Sequence, residues 1–193
     1  MRAIVKAPAD CSQEELSTFE KLVLEGGEVA SHGLSDRIKL AYKLIFIELN
    51  NECVSVGALK CPNENYKNRV FLKAGMAAES ASYQYELGYL YTSPASRGNG
   101  VGSFLMTSVC NSLNDQSCFA TTRESNKVMH HLFGKASFSR LGVAYKNDQG
   151  DYYLGLFATK SQQVVAVRAC GDARSSRRGA KRYVPKNLTS FSY

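Results

Sequence analysis

Residues 93–105 read SPASRGNGVGSFL: Arg97, then Gly98, Gly100 and Gly102 at alternate positions, directly ahead of an apolar helical run. Glycine inside regular structure costs about 0.5–1 kcal/mol relative to alanine. Three of them at a strand–helix junction therefore ask for a reason besides stability. A helix N-terminus exposes unpaired backbone N–H groups and the positive end of the helix dipole, which together bind anions. Glycines in front of it let those N–H groups approach a phosphate with no Cβ in the way, and Arg97 adds a cation. The spacing fits a pyrophosphate cradle; the competing reading is a turn that only tightens the connection. No lysine follows Gly102, as a Walker loop needs, and Ser103 stands where a dinucleotide fingerprint would carry its third glycine.

The elements that must position this loop follow from periodicity. Arg2–Lys6 reads as a first strand, and Ser12-Gln13-Glu14-Glu15 is a capping box before Leu16, Phe19, Leu22 and Val23 at helical spacing. Ser35 is expected to cap a second, short helix through Ile38, Leu40 and Ala41. Leu44–Leu49 and Cys53–Leu59 flank Asn50-Asn51 as a hairpin. A short helix is expected over Tyr66–Ala74, a strand over Tyr85–Thr92, and a helix from Val101. A strand over Cys118–Thr122, a helix over Asn126–Lys135 and two closing strands, Phe138–Tyr145 and Tyr152–Ala158, complete the order. This is a single mixed α/β domain with helices packed on one sheet.

Composition narrows the classes. A chain of 193 residues suits one domain, here 1–160, with an appended tail, 161–193. No run approaches the ~20 apolar residues of a membrane span, so no membrane partner is expected. Six cysteines without a C-x-x-C pair, and an N-terminus without the apolar core of an export signal, point to reduced thiols and a cytoplasmic location. Three histidines, two of them adjacent, give no zinc spacing, and no metal is expected. The net charge of +7 lies in residues 160–193, where eight basic groups face the one acid Asp172. That tail leaves a nucleic-acid partner open.

Thr92-Ser93-Pro94-Ala95-Ser96-Arg97-Gly98-Asn99-Gly100-Val101-Gly102 resembles the acetyl-CoA loop of the GNAT (Gcn5-related) N-acetyltransferases, with Arg97, Gly100 and Gly102 in the positions of R/Q-x-x-G-x-G/A. Glu86-Leu87 and Leu90 are similar to the family's E-[IL]-x-x-L, and Asn126 through Phe138 to its N-x₆-Y-x₃-G-F segment. The resemblance spans roughly residues 2–159 and implies the GNAT fold: a mixed, mostly antiparallel sheet with flanking helices and a central pyrophosphate-binding strand–loop–helix. Two departures stand out. Phe133 occupies the place of the tyrosine that can protonate the departing thiolate, and Ser137 that of a glycine.

The resemblance implies acetyl transfer from acetyl-CoA to a primary amine by direct attack in a ternary complex. Leu90, Tyr91 and Thr92 would present backbone groups to the pantetheine arm and the thioester carbonyl. Arg97, Gly98, Asn99, Gly100, Val101, Gly102 and Ser103 would hold the pyrophosphate. Asn126 would bond the pantetheine arm, serve as a helix cap, or do both. Glu86 is the candidate general base, acting through a water; a glutamate held in an ion pair is the alternative. Tyr89 and Tyr91 face opposite to Leu90 and could supply the missing acid, and Tyr89 with Arg123 would meet the acceptor. His130 and His131 read as helix-surface residues. Two other functions stay open: an aminoacyl-tRNA-acetylating toxin, suggested by the tail, and an inactive acyl-CoA-binding module, suggested by Phe133. A homodimer also stays open.

Overall fold

Among the described residues seven strands form one sheet in the order β1-β2-β3-β4-β5-β7-β6. In the computed structural model, which describes residues 1–160, these are β1 (Arg2–Lys6), β2 (Ala41–Leu49), β3 (Glu52–Lys60), β4 (Tyr85–Thr92), β5 (Cys118–Arg123), β6 (Ser139–Lys146) and β7 (Tyr153–Thr159). Every neighbouring pair is antiparallel except β4 with β5, which run parallel. The helices are α1 (Gln13–Glu25), α2 (Leu34–Lys39), α3 (Glu64–Lys73), α4 (Val101–Ser112) and α5 (Lys127–Lys135). The tail, whose apolar Val164–Val167 could make one extra strand by sequence and which carries the basic run, lies outside the described residues.

Local chemistry explains most of these boundaries. The capping box at α1 forms as the sequence predicts: Glu15 N–H donates to Ser12 Oγ at 3.1 Å, and Ser12 N–H to Glu15 Oε2 at 2.8 Å. Asn63 caps α3 by accepting from the N–H groups of Asn65 and Tyr66. The β2–β3 hairpin turns on Asn50 and Asn51, both in the left-handed region at φ +53° and +65°, as a two-residue turn with right-handed twist requires. The second helix differs from expectation. It starts at Leu34 behind Gly33 (φ +63°), so Ser35 lies inside it and caps nothing.

The sheet separates three apolar clusters. On one face α4 and α5 cover Ile45, Ile47, Leu59, Leu87, Ala120 and Phe157. On the other, α1 and α2 pack through Phe19, Leu22, Leu34 and Ile38 onto Leu44, Phe46, Val56 and Ala58. On that same face α3 packs through Val70 and Phe71 onto Phe119, Leu156 and Ala158. Between these last two clusters lie Lys60, Tyr66 and Glu86, a polar seam under the middle of the sheet.

Gly142 fixes the position of α3 against the β6 edge. Its φ is +60°, and a Cβ there would stand 1.9 Å from the carbonyl oxygen of Ala74, just past α3. The next residue, Val143, donates its N–H to that same oxygen at 3.0 Å. Gly27 has a similar φ of +69° with nothing within 4 Å of a would-be Cβ. Gly27→Ala is therefore expected to cost only the left-handed strain, about 1–2 kcal/mol. Gly142→Ala adds an overlap with main chain and should cost about 3 kcal/mol or more. Urea unfolding of the two variants checks the ranking.

Candidate active site

The site begins where two neighbouring strands part. The β4–β5 ladder covers only Tyr85–Cys118, Glu86–Phe119 and Leu87–Ala120, although β4 continues to Thr92 and β5 to Arg123. At the same point β4 bulges against β3, with a register shift between Val56 and Ala58 and Tyr89 at φ +56°. A tyrosine in that region is strained by about 1–2 kcal/mol, and such strain clusters at functional sites. The bulge shifts the strand's phase. Leu87 and Leu90 both pack with the α4–α5 cluster, while Tyr89 and Tyr91 both pack toward α1. Leu90 crosses β3 at Gly57, where a Cβ would come within 2.8 Å of it.

Backbone direction follows from the ladder. Ser93 donates its N–H to Val54 at 2.9 Å, and antiparallel pairing turns alternate residues to the same neighbour. Tyr91 therefore directs its backbone to β3, and its carbonyl also accepts from Ser55 Oγ at 2.6 Å. Leu90 and Thr92 direct theirs into the gap toward β5. Of the three residues expected to present backbone groups, Leu90 and Thr92 turn theirs to the opening and Tyr91 does not.

The strand then enters the glycine loop. Gly98 (φ +79°) and Gly100 (φ +78°) are left-handed, with open space where a Cβ would be. Gly100 is the N-cap of α4 and makes no side-chain cap bond, and its carbonyl accepts the N–H of Phe104 at 3.0 Å. The N–H groups of Val101, Gly102 and Ser103 thus sit in the first turn, before intrahelical bonding begins. Val101 contributes only backbone, since its side chain is buried. Gly102 has another purpose as well: a Cβ there would press on Leu132 of α5 at 3.3 Å. Arg97 is exposed, donates Nε–H to the Thr92 carbonyl at 3.0 Å and lies 6.0 Å from the Tyr91 ring centroid. Asn99 sits at the exposed tip.

Glu86 lies in the polar seam and is only 5 % exposed. Its Oε2 pairs with Lys60 Nζ at 2.9 Å, and its Oε1 accepts from the Tyr66 hydroxyl at 3.0 Å. Lys60 reaches it across Gly88, whose Cβ would lie 2.7 Å from Lys60 Cε, and sits 5.0 Å from the Tyr89 ring centroid. Burial first, and then the Glu86 carboxylate, hold the Tyr66 phenol far above its ordinary pKa. Sequence reasoning singled out Glu86 but not Lys60 or Tyr66, which meet it here. The signal for Lys60 was Gly88, the gap in β4 that leaves room for it.

At the far side of the opening, Arg123 ends β5. Its Nη2 and Nε donate to Glu28 Oε2 at 2.7 and 3.1 Å, and its guanidinium lies 4.1 Å from the Tyr152 ring centroid. Arg123 thereby clasps the loop after α1 to the β6–β7 turn. Asn126 caps α5, accepting from Met129 N–H at 3.1 Å. His130 Nε2 lies 3.2 Å from the Arg123 carbonyl, and His131 is exposed. Phe133 is a core residue, 1 % exposed and packed between Phe138 and Phe157, so its ring fills space away from solvent. Another cleft, about 580 Å³, lies by Ala3, Lys43 and Ser112 and contains none of the predicted site residues. Among the described residues no helix is long and apolar enough to cross a membrane.

Parted parallel strands thus lead directly into a glycine-lined helix N-terminus. The profile of the acetyltransferase (GNAT) family matches residues 12–138, and the chain belongs to that family of acyltransferases. No curated protein sequence matches it significantly. The fold is similar to an acyl-CoA N-acyltransferase from Pseudomonas aeruginosa: TM-score 0.59, 15 % identity, covering 81 % of this chain and 97 % of that one. The ribosomal-protein-S18-alanine N-acetyltransferase from Escherichia coli gives 0.59 at 10 % identity, covering 83 % and 94 %. A GNAT family acetyltransferase from Elizabethkingia anophelis, solved with acetyl-CoA bound, gives 0.56 at 10 % identity, covering 82 % and 97 %.

The seam's geometry makes a ranked prediction. Tyr66→Phe removes one donor to Glu86 and should cost about 1.5–3 kcal/mol, the range for a hydrogen bond to a charged group. Lys60→Met leaves the carboxylate buried without its cation and should cost more, about 3–5 kcal/mol. Denaturant unfolding measures both, and a reversed order would contradict the pairing described.

Proposed function

We propose that this chain transfers the acetyl group of acetyl-CoA to a primary amine by direct attack in a ternary complex, and that residues 1–160 are its catalytic domain. The observation that carries this reading is the coincidence of two features: the β4–β5 ladder ends at Leu87–Ala120, and β4 runs directly into the open glycines ahead of α4. The fit is physical. Gly98 and Gly100 leave space for an anion, the first-turn N–H groups of α4 supply donors, and Arg97 supplies a cation that must leave the Thr92 carbonyl to help. Asn126 offers its amide across the opening.

When bound, acetyl-CoA supplies an acyl carbon already activated as a thioester. The residues of this chain do the rest. Leu90 and Thr92 orient the carbonyl from the β4 edge and offer donors to the charge that develops on its oxygen. Glu86 takes the acceptor's ammonium proton through a water. As the C–N bond forms and the C–S bond breaks, the nitrogen sheds the extra proton it carries after attack and the departing thiolate takes one up, so the step gains and loses no net proton. Tyr89 and Tyr91 are the candidate donors of that proton; Tyr91 already donates to Glu25 at 3.1 Å. Phe133 cannot serve, and its packing between two phenylalanines accounts for its identity without any loss of catalysis. The acceptor is a small molecule, a protein amine or an aminoacyl-tRNA, and tRNA binding would fall to the basic tail.

Release of free thiol from acetyl-CoA, measured against a panel of primary amines, tests this reading. Glu86→Gln is expected to lower kcat by about 10²-fold or more while the variant, checked for folding, still gains thermal stability from acetyl-CoA. Gly100→Asp sets a carboxylate in the cradle and is expected to lose that stabilisation. Full activity in Glu86→Gln would move the base elsewhere, and a full shift in Gly100→Asp would remove the phosphate loop.

A further inference from the structure

A second cavity adjoins the seam from the α3 side. It lies between α3 and the β6–β7 turn, holds about 340 Å³, and is lined by Tyr66, Arg69, Lys73, Tyr145, Lys146 and Asp148 among others. That volume lies within the range of sites for small molecules, about 300–1,000 Å³. Two observations tie it to a ligand. Tyr145 is buried, and its hydroxyl has no hydrogen-bond partner among the described residues, an arrangement that costs stability unless something fills it. Tyr66, the other tyrosine of its wall, is the residue whose hydroxyl holds Glu86 at 3.0 Å. The cavity and the candidate base therefore share a wall.

The charges of the lining do not cancel. Three cations, Arg69, Lys73 and Lys146, face one lining carboxylate, Asp148. Lys73 pairs with Asp148, and Lys146 pairs with the well-exposed Asp151 at 3.0 Å. Exposed pairs of this kind are weak and exchange readily for a better anion. Burial first, and then the charges of Glu86 and Asp148, raise the Tyr145 phenol above its ordinary pKa, so its O–H stays a donor at neutral pH. Cations at the mouth and a neutral hydroxyl inside suit a carboxylate or a phosphate.

We propose that this cavity receives the anionic end of a small amine-bearing acceptor, whose amine is presented to Glu86. The proposal rests on the acetyl-transfer reading of Glu86 and narrows its substrate class. Arg69 and Lys146 bind the anion, Asp148 competes with it for Lys73, and Tyr145 donates to it or to the chain behind it. The size of the cavity selects a small molecule over a folded protein surface.

Amide NMR on the full-length, isotope-labelled protein tests this with three probes of one chain length: hexylamine, ε-aminocaproate and aminohexyl phosphate. Both anion-bearing probes are expected to shift Arg69, Lys73 and Lys146 and to bind about tenfold or more tightly than hexylamine. The tighter of the two identifies the anion. Combined Arg69→Gln and Lys146→Gln should erase the advantage, and Asp148→Asn should enlarge it. Equal binding of hexylamine, shifts confined to other surfaces, or an advantage that survives loss of both cations would overturn the proposal. Thiol release from acetyl-CoA with the tighter probe as acceptor, compared between the parent protein and Glu86→Gln, reports the acetyl-transfer reading separately, because probe binding is read without turnover.

Discussion

The site depends on β4 keeping its hydrogen bonds to β3 while giving up those to β5. A parallel ladder three residue pairs long holds the two halves of the sheet together, and past it the strand edges stand open. The bulge at Tyr89 sets where this happens, because the extra residue increases the local twist and turns β4 away from its neighbour. Gly57 makes room for the re-aimed Leu90, and Leu90 in turn packs with the α4 cluster. The strain at Tyr89 is thus balanced by apolar burial on the opposite face. Past the end of β4 at Thr92 the chain has only Ser93 to Arg97 before the first loop glycine, Gly98, so the opened edge and the helix N-terminus are placed by one continuous segment.

The polar seam is the second consequence of that arrangement. With α1–α2 covering one half of the sheet and α3 the other, Glu86 falls in the gap between two apolar clusters. A carboxylate there would be costly alone. Lys60 and Tyr66 satisfy both of its oxygens, and Gly88 lets Lys60 arrive. The ion-pair reading of Glu86 and the general-base reading are therefore not exclusive. The pair fixes where the carboxylate is, and a base must first be in place. A buried pair is weak evidence for stability, which makes its position beside the opened strands the more informative fact.

Much of the fold was legible because its signals are local. The capping box at Ser12, the Asn50-Asn51 turn and the strand Tyr85–Thr92 follow from residue types within a few positions of one another. The glycine loop was legible too, though as a single idea. The structure divides it, with Gly98 and Gly100 serving conformation and space while Gly102 also serves the packing of α4 on Leu132. What the sequence concealed depends on distant partners. The short α2 starts one residue before Ser35, since Leu34 is pulled into the core. Lys60 and Tyr66 come from other elements to meet Glu86, and no spacing rule joins them. Phe133 read as a missing acid from its place in a motif, yet its neighbours Phe138 and Phe157 make it core. The odd spacing of Leu87 and Leu90 was the one local trace of the bulge, since regular alternation would have put them on opposite faces.

The central claim is that the opened β4 edge and the α4 N-terminus together form one acetyl-CoA site. Hydrogen exchange of the full-length protein with and without acetyl-CoA tests it most directly, because it reads the backbone N–H groups on which the claim rests. The account predicts slowed exchange in segments covering 88–92 and 98–104, with β1 unchanged. Protection absent from both segments, or centred instead on the cleft by Ala3, Lys43 and Ser112, would contradict it.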